Sequence, residues 1–241
     1  FDSFDENHPE ETIVTLPDVP PWPKRDMLME EKKVLGMYVT DHPLADHATA
    51  IDTYSTANTA TMRNMQPKAE VLIGGMISRC RFMVTKNGRG AGSRMAIITV
   101  EDLQGSVEAV LFPDCFALHE ELIVSDRMVF IKGQLDFRRD DPSVRINAVY
   151  DMERAAEELT HAVFANLAEE NVTSTQIEAF KDICKTFPGT TPVYVNVVTE
   201  RKMTVAIQID KGVRPTKQFC QKIEQLLGTG TLKCTGPGTR I

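Results

Sequence analysis

From Val71 onward apolar residues recur at every second position, and that strand period marks five segments: 71–85, 94–101, 106–112, 128–137 and 144–150. The first is long and contains Gly74-Gly75, which predicts a bend or bulge. Asp102-Leu-Gln-Gly105 supplies a turn between the second and third segments. Between the third and fourth, residues 114–123 predict a short helix capped by Asp114 and presenting Phe116, Leu118 and Leu122. Three strands, a short helix and two strands follow the order of an OB-fold, a five-stranded Greek-key barrel. An open sandwich is the competing arrangement.

The flanking patterns differ. Residues 1–26 hold five prolines between Pro9 and Pro23 and predict an extended, solvated linker. Residues 27–70 form a helical segment, opening with apolar and charged positions from Met27 that run without a breaker to Gly36, a C-terminal helix signal. Residues 71–153 make the OB domain. An acidic bridge around residues 153–158 follows, expected as a domain boundary and a proteolytic weak point. Beyond it, strand 162–167, helix 174–187 capped by Ser174, a hairpin of 193–199 and 203–209, helix 215–227 and strand 231–234 spell βαββαβ, the split βαβ order. The expected fold class is therefore α+β and multidomain, an OB barrel followed by a small α+β domain over 154–241.

The length of 241 residues suits two domains, and 42% hydrophobic with 25% charged residues is ordinary globular composition. With no apolar run long enough to span a bilayer, a soluble, cytoplasmic protein without a membrane partner is expected. Phe1 stands where an initiator Met would be, so a piece of a longer polypeptide is expected. The net charge of −7 argues against a nucleic-acid coat over the whole surface, but the acidity is segregated: residues 1–70 carry 6 basic against 13 acidic side chains. Between Arg79 and Arg94 lie five basic residues and no acidic one. Five scattered cysteines without C-x-x-C spacing read as reduced and structural, and no metal or cofactor motif is present.

Strand alternation puts Arg79 and Arg81 on one face. In the fourth strand Val129, Ile131 and Leu135 are interior, so Phe130, Lys132 and Gln134 point outward. Arg79, Arg81, the loop bearing Lys86 and Arg89, Arg94, an exposed Phe130, Lys132 and the loop residues Arg138 and Arg139 then converge where OB-folds hold single strands: cations attract phosphates and an aromatic offers a stacking platform. Ordinary solvent-facing arginines are the bland alternative. The glycine-rich loop lacks the Gly-Lys-Ser/Thr ending of a phosphate loop and joins two strands, so it is no nucleotide cradle. Acidic pairs such as Asp140-Asp141 sit at turns with no base or metal motif beside them, so no catalytic residue is assigned.

The run Glu31-Lys-Lys-Val-Leu-Gly36-Met-Tyr38-Val-Thr-Asp-His42-Pro43-Leu44, followed by Thr85-Lys86-Asn87-Gly88, Glu101-Asp102-Leu-Gln-Gly105 and Val110-Leu-Phe112-Pro113, resembles the C-terminal part of the alpha subunit of bacterial DNA polymerase III, a C-family replicative polymerase. The family often has Ser and Gly where this chain has Thr40 and Asp41. The resemblance implies that the polymerase carboxylates lie upstream, outside this chain, so that this chain is not itself an enzyme and needs no cofactor. It implies an OB domain on single-stranded template DNA, a C-terminal domain that in some members docks the clamp loader, and a peptide before the barrel that binds the sliding clamp. Such peptides usually end in Leu-Phe, and Phe1 resembles that last residue. Two other readings stand beside this one: a purely protein-interaction module of the replisome, and the OB-type anticodon-binding module of a tRNA synthetase.

Overall fold

The computed structural model describes residues 21–36, 38, 40–85, 92–137, 141–168, 173–198 and 204–239. By compactness the chain divides into residues 1–43 and 44–241. In the first unit helix α1 (Lys24–Leu35) ends at Gly36, whose φ of 78° is left-handed, a conformation cheap only for glycine. The chain then folds back on its own helix. The Glu31 carboxylate accepts from the Thr40 amide at 2.7 Å, the Lys32 ammonium lies 5.0 Å from the Tyr38 ring centre, and Tyr38 meets His42 edge-on. Lys24 closes the loop on Asp41 at 2.7 Å, and its ammonium holds that carboxyl below the usual range. Glu31, Tyr38 and His42 of the recognised motif are thus members of one local clasp.

In the second unit, strands β1 (Glu70–Val84), β2 (Arg94–Glu101), β3 (Ser106–Leu111), β4 (Met128–Asp136) and β5 (Ser143–Asp151) close a barrel in the order β1-β2-β3-β5-β4. All neighbours are antiparallel except β3 and β5, whose parallel pairing seals it. The expected five strands hold, as do the inward positions expected in β4, Val129, Ile131 and Leu135, which share one buried core with Ile98, Val100, Ala109 and Val144 of the neighbouring strands. The bulge falls between Ile77 and Arg79, beyond the two glycines. Gly74 and Gly75 instead mark close approach, since a Cβ would stand 2.7 Å from the Phe130 ring and 2.6 Å from the Glu101 carbonyl.

Helix α4 (Pro113–His119) plugs the barrel with Phe116. Its N-cap is Phe112 rather than Asp114, because Pro113, lacking an N–H, takes the first helical position. Leu118 points to solvent rather than the core, 79% exposed.

The last elements are β6 (Ala162–Ala168), α6 (Ser174–Thr186), β7 (Pro188–Thr191), β8 (Val193–Val198), β9 (Thr204–Gln208), α7 (Lys217–Leu227) and β10 (Leu232–Thr235). Thr173, not Ser174, caps α6 through a capping box with Gln176. The sheet order is β10-β6-β8-β9, with β6 and β8 adjacent and parallel. This corrects the split arrangement: α6 makes a direct crossover between neighbouring strands, and no strand is inserted between them. Phe180 and Cys184 of α6 and Phe219 and Ile223 of α7 cover one side of this sheet. Among the described residues no helix is long and apolar enough to cross a membrane.

Helix α2 (Ala48–Tyr54) packs against both of these parts, and helix α3 (Thr59–Met62) follows it ahead of β1. Tyr54 meets the Phe130 ring edge-on at 5.9 Å, bonds through its hydroxyl to the Thr160 hydroxyl at 2.8 Å, and lies against Gly236. Burial pushes its phenol pKa well up. Thr160 ends the expected polar bridge, which is not an open linker: residues Ala155–Leu159 form helix α5, with Ala155, Leu159 and Thr160 buried.

Replacing Tyr54 by Ala is expected to cost about 3 to 5 kcal/mol through the cavity it leaves, and Tyr54→Phe about 0.5 to 1.5 kcal/mol for the lost hydrogen bond. Urea unfolding measures both. Limited trypsin digestion is expected to spare the bond after Arg154 in the parent chain and to cut it in Tyr54→Ala.

Candidate nucleic-acid interface

With Ala96, Ile98 and Val100 of β2 and Val107, Ala109 and Leu111 of β3 turned inward, the alternate residues of these strands stand on the outer surface. Strand register aligns them in rows across four strands. Arg81 pairs with Ile97, Ile97 with Val110, and Val110 with Arg145. The neighbouring row is Arg79, Thr99, Glu108 and Ser143. One row therefore carries an arginine at each end of an apolar centre, and the other carries one arginine and one carboxylate. Phe112, at the end of β3, is 44% exposed, with the Arg145 guanidinium 5.0 Å from its ring centre. Below the second row the surface deepens into a groove of about 920 Å³, walled by Thr59, Met62 and Arg63 of the α3 region, with Arg63 bonded to Asp141 at 3.2 Å.

That wall is held by a buried carboxylate. Asp102 accepts the Thr59 amide at 2.7 Å and the Thr59 hydroxyl at 2.6 Å, and it also accepts the amides of Gln104 and Gly105. Every donor it faces is neutral, and four hydrogen bonds replace the water it has lost. The Asp-x-x-Gly turn is thereby tied to the segment preceding the barrel.

Of the residues expected in the groove, Arg79 and Arg81 are exposed and share the face. Arg94 is engaged: it pairs with Glu120 and lies 5.7 Å over Phe82 and 5.3 Å over Phe116. Lys132 is exposed, but it is in register with Leu72 and Ala148 on the β4 side of β1, away from the β2–β3 surface. Lys86, Arg89, Arg138, Arg139 and Phe1 lie outside the described residues.

Phe130 overturns its expectation. Alternation directs it out of the barrel, yet it is 0% exposed because α2 lies over that side and Tyr54 packs on the ring. Sequence reasoning missed Phe112 and Arg145, although the same alternation identifies them: Phe112 is two residues from outward Val110, and Arg145 stands between inward Val144 and Ile146.

Burial pushes the thiols of Cys80 and Cys115 up and that of Cys184 to about 11, as suits structural cysteines. Cys220 and Cys234, distant in sequence, hydrogen-bond to each other. Among the described residues no cluster of His, Cys, Asp or Glu suits a metal ion.

Residues 71–152 match the family described as OB-fold nucleic acid binding domain, which agrees with the barrel. Along most of its length the chain is similar to the alpha subunit of bacterial DNA polymerase III. It is 28% identical to that of Saccharopolyspora erythraea, covering 87% of this chain and 18% of that protein. The Vibrio cholerae subunit is 24% identical, covering 91% and 19%, and the Pasteurella multocida subunit 23% identical, covering 97% and 20%. The chain thus spans about a fifth of the length of these curated relatives.

The burial of Phe130 gives a separable outcome. Phe130→Leu is expected to lower stability by about 1 to 2 kcal/mol, within the range for core substitutions, and to leave single-strand affinity unchanged. Thermal unfolding and fluorescence anisotropy check the two halves.

Proposed function

We propose that this chain is a non-catalytic, single-strand-binding part of a replicative polymerase alpha subunit, and that its barrel holds template DNA across the outer face of β2 and β3. The observation that carries this reading is the row Arg81, Ile97, Val110 and Arg145, with Phe112 at its edge. Cations at both ends can hold the sugar-phosphate backbone while the apolar centre and the Phe112 ring receive bases, the combination by which OB barrels bind single strands without reading sequence. The OB-family match and the likeness to polymerase III alpha subunits support a role in DNA replication. Arg94 adds little, because Glu120 already neutralises it. The segments bearing Lys86, Arg89, Arg138 and Arg139 flank the strands of this surface in sequence and belong to the proposal as further phosphate contacts. Contacts with a sliding clamp through the segment containing Phe1, and with a clamp-loader subunit, rest on the family resemblance alone.

With roughly three phosphates neutralised by Arg79, Arg81 and Arg145, log K for fluorescein-labelled dT20 is expected to fall against log salt with a slope of about −2, steeper by about 0.7 for each further contact from Lys86, Arg89, Arg138 or Arg139. Reversing Arg79 and Arg81 to Glu is expected to weaken binding and flatten the slope, and Phe112→Leu to weaken it by about 1 to 3 kcal/mol, the worth of one stacked base. Reversal of Lys217 and Lys222 on α7 is the control and should change neither. Affinity and slope unmoved by the arginine reversal would sink the barrel interface.

A further inference from the structure

The four-stranded sheet has a second side that none of this involves. Val163, Ala165, Val193, Leu232 and Cys234 face α6 and α7. The alternate residues fall on the opposite side, again in rows: Lys233, Phe164, Tyr194 and Gln208 in one, Asn166, Asn196 and Ala206 in the next. None of these is buried, so no described element covers the face. At its centre Phe164 and Tyr194 lie on the two middle strands, their rings 5.1 Å apart and within 17° of parallel. Beside them the Asn196 amide donates to the Asn166 carbonyl oxygen at 2.9 Å. Among the described outward residues of the four strands there is one cation, Lys233, and no carboxylate.

We propose that this face is a second binding surface for single-stranded nucleic acid, distinct from the barrel. Half-exposed aromatics on adjacent central strands of an open sheet give bases a stacking platform, and amides next to them can hydrogen-bond base edges. Lys233, in register with Phe164, stands where a phosphate linked to a stacked base can reach it. A helix or apolar peptide fits less well, because Asn166, Asn196, Gln208 and Lys233 border the aromatic pair on three sides, and such a partner would desolvate them without pairing. An anionic ligand meets no carboxylate among the described residues here. Residues 154–241 are net basic in a chain that is net acidic, with 11 Lys and Arg against 9 Asp and Glu.

The test is calorimetric titration of the full chain with dT8, too short to bridge distant sites, with unfolding curves recorded for every variant. Two strands per chain are expected. Phe164→Leu with Tyr194→Leu should remove one of them and leave the other's Kd unchanged, while Arg79→Glu with Arg81→Glu should remove the other. Loss of a single aromatic should weaken its site roughly 5- to 150-fold, from the worth of one stacked base. Tyr194→Phe, which keeps the ring, should bind as the parent does. Should the leucine pair unfold, Lys233→Glu at an exposed position should still weaken the same site, and photocrosslinking of 5-iodouracil-substituted dT8 should label Tyr194. One strand per chain, lost with the arginine pair and indifferent to the leucine pair and to Lys233→Glu, overturns the proposal and leaves the barrel reading standing. One strand lost only with the leucine pair supports it while sinking the barrel reading, and no binding of dT8 overturns both.

Discussion

The packing of Tyr54 is the constraint that joins the two halves of the residue 44–241 unit. Its ring lies on Phe130 outside the barrel wall, its hydroxyl bonds to Thr160 at the end of the bridge, and its edge meets Gly236 beyond the last strand. One side chain on a short helix thus touches the barrel, the bridge and the C-terminal sheet. Two glycines accommodate it: at Gly74 a side chain would strike the Phe130 ring, and at Gly236 it would strike Tyr54 itself. The contact also determines which outer positions of the barrel stay open: α2 covers Phe130 on the β1–β4 side, whereas Ile97, Val110 and Arg145 on the side of β2, β3 and β5 are not buried.

Asp102 performs a comparable task at that surface. A carboxylate among four neutral donors positions Thr59, and through it α3, beside the β2–β3 turn. The groove below the Thr99, Glu108 and Ser143 row exists because this wall is fixed there. Glycine at position 105 keeps the turn open toward Thr59, whose hydroxyl would stand 3.3 Å from a Cβ. The Asp-x-x-Gly turn is therefore a device for tying the segment before the barrel to the barrel, and it shapes the groove that adjoins it.

What the sequence disclosed follows from what local patterns contain. Period-two alternation located all five barrel strands within a residue or two and sorted Val129 from Phe130 correctly as inward and outward. It could not show that α2 returns to cover Phe130, because coverage is a contact between positions more than 70 residues apart. The same limit accounts for the C-terminal sheet. The order of elements was legible, but the position of β8 beside β6 depends on hydrogen bonding between separate strands. Capping errors are more local: Pro113, with its φ preset for the first helical position, starts the helix one residue before Asp114, and Gln176 selects Thr173 by reaching back to its amide. Phe112 and Arg145 lie outside the acid-free stretch from Arg79 to Arg94, so clustering of charge does not mark them, although strand alternation does.

The proposed binding of a polyanion by a chain of net charge −7 needs a physical account of how the average is evaded. At physiological ionic strength the Debye length is about 8 Å, so an exposed acidic group more than two or three strands away contributes little at the arginine row. Residues 1–70 hold most of the excess acid and the face across β1, β2, β3 and β5 holds Arg79, Arg81 and Arg145. Affinity on the proposed face would then be governed by the charges that stand on it, Arg79, Arg81 and Arg145 against Glu108. A shallow salt dependence of binding would follow from that small number of local cations, whatever the charge of the whole chain.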